Sequence, residues 1–321
     1  MTSSAASPSK WTTADIPDLT GLRAIVTGAN SGLGLVTATE LARHGASVTM
    51  ACRDQVKGAA ALATVQQTAP EADCVTMAAL DLASLASVRE FSAGLLAENS
   101  GGLDILVNNA GVMALPKRET TVDGFERQLG TNHLGHFALT GLLLPALEQR
   151  PGARVVSVSS NAHKFGSMNF DDLMSEQKYG SWRAYGQSKL ANLLFALELA
   201  RRVDLAKIAL ISVAAHPGFS DTNLVANGPA SRTSGVASVL NSVTGFATKL
   251  MSQSAQMGAL PQLYAAVAPG VPSGAYVGPD GLAERAGYPK VVTPTKAAQD
   301  TEAARRLWNI SEELTGVSYL D

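Results

Sequence analysis

The chain is poor in cysteine, with only Cys52 and Cys74 among 321 residues. Two cysteines cannot build a disulfide framework. Cys52 falls in an apolar run and Cys74 at the start of another, so both read as small core thiols of a reducing compartment, and a cytoplasmic location is expected. Runs of Lys or Arg are missing and the formal net charge is −2, so no polyanion surface and no nucleic-acid partner is expected. Long apolar runs are missing as well. The longest, 137–147, falls far short of the roughly 20 residues that span a bilayer. Residues 1–10 are rich in Ser and Ala and lack the apolar stretch of a secretion signal, so a soluble chain without a membrane partner is expected. No metal is expected either. His133 and His136 have a chelating i, i+3 spacing but no third ligand, and packed helix histidines are the simpler reading. Gly28 to Gly32 reads G-x-x-S-G, which is not a nucleophile elbow, so hydrolase chemistry has no support.

What is present is a regular alternation. The chain is 46% hydrophobic, enough for a full core. Short, often β-branched apolar runs at 23–26, 46–51, 74–80, 104–107, 154–158 and 208–213 read as buried parallel strands. Amphipathic stretches at 33–44, 55–68, 85–98, 122–147 and 182–202 read as helices between them. Strict alternation predicts an α/β chain: a single-domain Rossmann fold, a doubly wound parallel sheet with helices on both faces. No repeat or compositional break divides it, so residues 20–290 read as one domain, with an extension at 1–19 and a tail at 291–321. The apolar stretch 258–268 reads as a core or subunit-contact helix. Segments 162–180 and 219–256 break the rhythm after predicted strand ends, where open α/β sheets bind ligands; the second is expected to form a lid.

A glycine-rich turn, Thr27-Gly28-Ala29-Asn30-Ser31-Gly32-Leu33-Gly34, joins the first predicted strand to the first helix. Glycine allows the tight turn and close approach of a ligand, and free N–H groups at the helix start suit a pyrophosphate. A dinucleotide site usually places a carboxylate at the end of the second strand to bind the ribose 2′-OH. Cys52 stands there instead, followed by Arg53 and Asp54. A guanidinium favours a 2′-phosphate, so NADP(H) is expected over NAD(H). The alternative is that Arg53 caps a surface loop and Asp54 accepts the ribose.

Tyr185 and Lys189, four apart, share one helix face. A phenol has a pKa near 10, and a nearby ammonium stabilises the phenolate, so the pair can move a proton. The strand at 155–158 runs into Ser159-Ser160, where a hydroxyl can steady a substrate oxygen.

With Asp81-Leu82, Asn108-Asn109-Ala110-Gly111, Asn132 and Pro217-Gly218 with Thr222 added in order, the chain resembles the short-chain dehydrogenase/reductase family over about residues 20 to 290. Thr131 to Phe137, Ser159 to His163, Tyr185 to Phe195 and His216-Pro217-Gly218 resemble its retinol-dehydrogenase-like and WW-domain-oxidoreductase-like branch, as does the 25-residue gap from Ser160 to Tyr185 (185 − 160). No membrane anchor or WW module is read in this chain. The resemblance implies hydride transfer between a nicotinamide and a carbonyl or alcohol. It implies that Tyr185 is the acid/base and that Ser160 orients the substrate carbonyl. Lys189 would bind the nicotinamide ribose and lower the tyrosine pKa, while Asn132 bends its helix and holds a water in a proton relay. It places Asp81 and Leu82 by the adenine, Asn109, Ala110 and Gly111 along the cofactor cleft with Pro217 and Gly218, and Thr222 on the carboxamide. The expected partner is a small, apolar carbonyl or alcohol substrate, with a homodimer or homotetramer as the family's common assemblies. Alternatives are a non-catalytic NADP-binding redox sensor, or a nucleotide-sugar epimerase or dehydratase with retained NAD.

Overall fold

In the computed structural model, residues 10–98, 101–218 and 254–320 are described. The six expected strands form close to the predicted places: β1 (Arg23–Thr27), β2 (Ser47–Cys52), β3 (Val75–Ala79), β4 (Ile105–Asn108), β5 (Ala153–Val158) and β6 (Leu210–Ala215). Two more follow, β7 (Tyr276–Pro279) and β8 (Pro289–Val291). They form one sheet in the order β3-β2-β1-β4-β5-β6-β7-β8, parallel throughout except for β8, which runs antiparallel to β7. The sheet is therefore mixed at one edge.

Register decides what the sheet presents. Thr27 pairs with Ala51, Val107 with Val26, Asn108 with Ser157 and Val158 with Ala215. The chain thus leaves β1, β4, β5 and β6 at one level, which places the glycine turn, Asn109 to Gly111, Ser159-Ser160 and His216 to Gly218 along a single rim. Strand order reverses between β1 and β4, the switch point where open α/β sheets form a crevice.

Helices cover both faces: α1 (Gly32–Arg43), α2 (Gln55–Gln66) and α3 (Leu85–Ala97), the single turn α4 (Arg127–Leu129), then α5 (Gly135–Glu148), α6 (Ser181–Leu205), α7 (Ala255–Val267) and α8 (Thr301–Thr315). Leu41, Val65 and Leu263 bury against Val26, Val48 and Val156 on one face. Phe91, Phe137, Phe195 and Trp308 bury against Ile25, Leu106 and Val155 on the other. The stretch 258–268 falls within α7 and its end, where Ala259, Leu263 and Ala266 enter the core.

The helix expected over 122–147 is interrupted. Gly124 sits at φ 89, and Glu126 starts α4 by accepting the N–H groups of Gln128 (3.0 Å) and Leu129 (2.7 Å). A π-helical stretch, Gly130–Leu134, then leads into α5. The segment 291–321, read as a tail, carries α8, whose Leu307 and Trp308 are buried against the rest of the chain. Thr222 and the lid expected over 219–256 lie outside the described residues, apart from Ser254, which caps α7, and the first two residues of that helix. Among the described residues no helix is long and apolar enough to cross a membrane.

Candidate active site

The glycine turn is built around Thr27, the last residue of β1. Its hydroxyl accepts the N–H groups of Asn109 and Ala110, both at 2.9 Å, and its carbonyl accepts the Asn109 side-chain amide at 2.8 Å. The β4 loop therefore lies directly against the turn. Gly28 has φ 66, and a β-carbon there would meet the Ala110 backbone at 3.0 Å; one at Gly34 would stand 2.5 Å from both Asn109 Nδ2 and the Gly28 carbonyl. Gly32, at φ 55, opens α1 behind Ser31, whose side chain makes no capping bond. The first N–H groups of α1 thus point from the turn without a side-chain cap, a geometry suited to a phosphate. Asn30, Ser31 and Leu33 are half-buried along this lip.

Under the turn, the Cys52 thiol is buried, and burial pushes it up to about 11 although the Ala29 and Asn30 backbone N–H groups act to lower it, so it is a neutral thiol. Arg53 beside it is exposed. Asp54 is occupied as the cap of α2, accepting Lys57 N–H at 3.0 Å and pairing with the Lys57 ammonium at 3.6 Å. Asp81 accepts Ala83 N–H at 2.9 Å, and Leu82 is buried under Gly135.

Asn132 lies in the middle of the π-helical stretch and is fully buried. Its Oδ1 accepts Val112 N–H at 2.8 Å; its Nδ2 donates to the Val112 carbonyl and to Ser188 Oγ, both at 2.9 Å. A β-carbon on Gly111 would lie 3.0 Å from Asn132 Oδ1 and 3.6 Å from Lys189 Nζ, so these three expected site residues meet.

Helix α6 brings Tyr185 and Lys189 to the same rim. Lys189 is buried, its ammonium donates to the Val158 carbonyl at 3.0 Å, and its Nζ lies 5.8 Å from the Tyr185 ring centre. Desolvation lowers this lysine to about 8. The Ser160 hydroxyl acts to lower the neighbouring Tyr185 phenol, yet burial dominates and pushes the phenol up to about 12. The sequence-based expectation of a lowered phenol is thus reversed in the protein alone: desolvation leads, the Ser160 hydroxyl offsets it only in part, and Tyr185 stands as a neutral phenol. Ser160 caps a 3₁₀ turn, Asn161–Phe165, by accepting Ala162 N–H at 3.2 Å, and Ser159, its neighbour, instead donates to the Lys189 carbonyl at 2.7 Å. Of the two serines, the second faces the tyrosine. Pro217 and Gly218 are half-buried after β6.

The two helix histidines are each committed. His136 Nδ1 donates to the Asn132 carbonyl (3.0 Å) and Nε2 meets Thr27 Oγ1 (2.9 Å), while His133 Nε2 meets Ser311 Oγ (2.9 Å). Among the described residues no group of three or more His, Cys, Asp or Glu is placed to hold a metal ion.

Sequence reasoning missed several supporting residues. Gln262 of α7 donates to Thr37 Oγ1 at 2.5 Å and to Asn109 Oδ1 at 3.3 Å, fixing which way the Asn109 amide points. Gln128 accepts Ala114 N–H at 2.8 Å and donates to Tyr179 Oη at 3.1 Å, bracing the loop after Gly111. These partners lie far away along the chain and carry no local pattern.

A mostly parallel sheet with a glycine turn at its switch point and a Ser–Tyr–Lys–Asn group on the same rim matches the short chain dehydrogenase profile over residues 23–232. The chain belongs to the short-chain dehydrogenase/reductase family. Within it, the chain is of the retinol-dehydrogenase-like branch. It is 43% identical to human retinol dehydrogenase 13 over 317 residues, covering 97% of this chain and 88% of that protein. It is 41% identical to human retinol dehydrogenase 12 over 306 residues, covering 94% and 88%. A solved structure of an uncharacterized protein from Mycobacterium Paratuberculosis superposes with a TM-score of 0.78 at 44% identity, covering 97% of this chain and 99% of that one. Family membership makes the protein a hydride-transferring oxidoreductase with a nicotinamide cofactor.

Proposed function

We propose that the protein is an NADP(H)-dependent oxidoreductase of apolar carbonyls and alcohols, with Tyr185 as the acid/base. The observation that carries the reading is the placement of the Ser160 hydroxyl beside the Tyr185 phenol, with the Lys189 ammonium 5.8 Å from the centre of its ring. A buried phenol held up to about 12 is a proton donor at neutral pH. That form suits a carbonyl acceptor, whose oxygen gains negative charge as it is reduced. Ser160 steadies that oxygen by a second hydrogen bond. Lys189 and Asn132, which meet beside Gly111, would pass protons on and reset the phenol. The cofactor, when bound, supplies or takes the hydride.

The glycine turn and the N-terminus of α1 would hold the pyrophosphate, Asp81 and Leu82 the adenine, and Asn109, Ala110, Gly111, Pro217 and Gly218 the nicotinamide half. Preference for NADP(H) rests on the acceptor side of the ribose. The carboxylate that could bind a 2′-OH, Asp54, is spent on α2, and Cys52 is a buried, neutral thiol. Arg53 is the exposed cation left to meet a 2′-phosphate. Relatives named retinol dehydrogenases support an apolar alcohol or aldehyde as substrate.

The test is an NADPH-oxidation screen across aldehydes, ketones and quinones, repeated with NADH. Turnover faster with NADPH is expected, and Tyr185→Phe should lower kcat on the order of 10²–10⁴-fold with cofactor affinity nearly unchanged. Normal turnover in that variant removes the tyrosine from the mechanism. Cofactor binding without turnover on any carbonyl would point to a redox sensor instead.

A further inference from the structure

Between β7 and β8 the chain makes a short 3₁₀ turn, Leu282–Glu284, in which Ala283 and Glu284 adopt φ 53 and φ 56. Two consecutive non-glycine residues in the left-handed region are strained, and such strain persists only where the surroundings hold it. The result leaves Leu282 exposed at 90% and turns the Glu284 carboxylate toward the rim of the sheet. There Glu284 Oε2 accepts Lys164 Nζ at 2.9 Å and His216 Nε2 at 3.1 Å, and its backbone carbonyl accepts Asn161 Nδ2 at 3.0 Å.

These partners belong to two different loops of the redox site. Asn161 and Lys164 lie on the 3₁₀ turn that Ser160 caps, and His163 of that turn donates from Nδ1 to the Ser160 carbonyl at 2.7 Å. His216 precedes Pro217 and Gly218, and its Nδ1 accepts Gly218 N–H at 3.2 Å. With Nδ1 used as an acceptor, Nε2 carries the proton, and a neutral imidazole donates to Glu284. Gly278 makes room for this, since a β-carbon there would collide with the His216 ring. One side chain thus fastens the serine loop and the Pro217–Gly218 loop to the same hairpin. An exposed Lys–Glu pair alone would do little, but the His216 side chain is wholly buried and the Asn161 bond is to backbone.

We infer that Glu284 is a positioning residue for the oxidoreductase site, setting the spacing between the Ser160 loop and the Pro217–Gly218 loop through Asn161, Lys164 and His216. Its consequence for turnover rests on the function proposed above; its consequence for the loops does not.

Glu284→Gly separates this role from a merely structural one. Glycine is at ease at this φ, so the substitution removes the carboxylate together with the strain at residue 284, while Ala283 keeps its own. The expected result is an unchanged or raised Tm, a fall in kcat of about tenfold and a KM for NADPH raised severalfold, the scale of losing hydrogen bonds to a charged group. Glu284→Gln, which keeps an acceptor oxygen, should fall between the two. Hydrogen exchange of the cofactor-free protein reads the loops directly: the Ala162, His163 and Gly218 amides should exchange about tenfold faster in Glu284→Gly, with the strands unaffected. Parent-like exchange at those amides would overturn the proposal, as would faster exchange spread over the whole chain with a matching loss of Tm. If the parent turns over no carbonyl, the oxidoreductase reading fails while the exchange comparison still decides the role of Glu284.

Discussion

Thr27 is where three parts of the site meet. Its hydroxyl accepts two N–H groups from the β4 loop, and its proton is directed at His136 Nε2. His136 in turn donates from Nδ1 to Asn132 in the π-helical stretch. Thr27→Val would keep the shape and leave the Ala110 N–H without a partner, while the Asn109 N–H keeps its bond to the Val107 carbonyl at 3.0 Å. The expected cost is about 1–3 kcal/mol, read as a lowered midpoint in urea unfolding. The same residue-scale bonds fix a pH dependence. Burial lowers His133 to about 3 and His136 to about 4, and it lowers His163 and His216 as well. Below pH 6.5 the unfolded chain takes up protons that the folded histidines refuse, so stability falls as pH drops from 6.5 toward 4. A Tm series from pH 7.5 to 4.5 should decline through that window; a flat series would show that these rings titrate normally. Much at this scale was legible in the sequence. Tyr185, Lys189, Ser160, Asn132 and the glycines stand together on one rim. The rise of the Tyr185 phenol was not legible, because spacing on a helix shows the nearby ammonium but not the depth at which both groups are buried.

At the scale of elements, the contact between the glycine turn and the β4 loop is a tight constraint. Gly34→Ala would place a methyl 2.5 Å from Asn109 Nδ2 and the Gly28 carbonyl. The Asn109 amide cannot yield without disturbing its bonds to Thr27 and Gln262, and the Gly28 carbonyl is backbone of the turn itself. Overpacking of this kind should weaken NADPH binding by about tenfold or more in a fluorescence titration while the far-ultraviolet dichroism stays native. The six central strands announced themselves because strands buried on both faces are continuous apolar runs. β7 and β8 did not. β7 has four residues including Gly278 and Pro279, and β8 has three, begun by Pro289, so neither shows a period. The break in the expected 122–147 helix was hidden for a different reason: the apolar residues keep helical spacing through it, and only Gly124 and the Glu126 cap stop an earlier start.

Over the whole molecule, the last twenty residues act as a wedge in the core. Trp308 stacks on Phe195 with centroids 5.8 Å apart, meets Phe137 edge-on at 5.0 Å, and carries the Arg202 guanidinium on its face at 4.4 Å. Tyr319 donates to the Phe137 carbonyl at 3.1 Å. Trp308→Ala should therefore cost about 3–5 kcal/mol, and a chain ending at residue 300 should fail to give a cooperative melt by calorimetry. A cooperative melt at the parent Tm in either would show the segment to be dispensable. Sequence reading set this segment outside the domain because its contacts are made across more than 100 residues. The amphipathic pattern of α8 was present, but nothing local said what it packs against.

The closing strand has a consequence for how copies of this chain can meet. Among the described residues β8 is an edge strand of three residues, opens with a proline that has no N–H to give, and carries the exposed Lys290 at its centre. A second sheet has almost nothing there to zip onto. Pairing of protomers edge to edge along β8 would therefore gain few backbone hydrogen bonds.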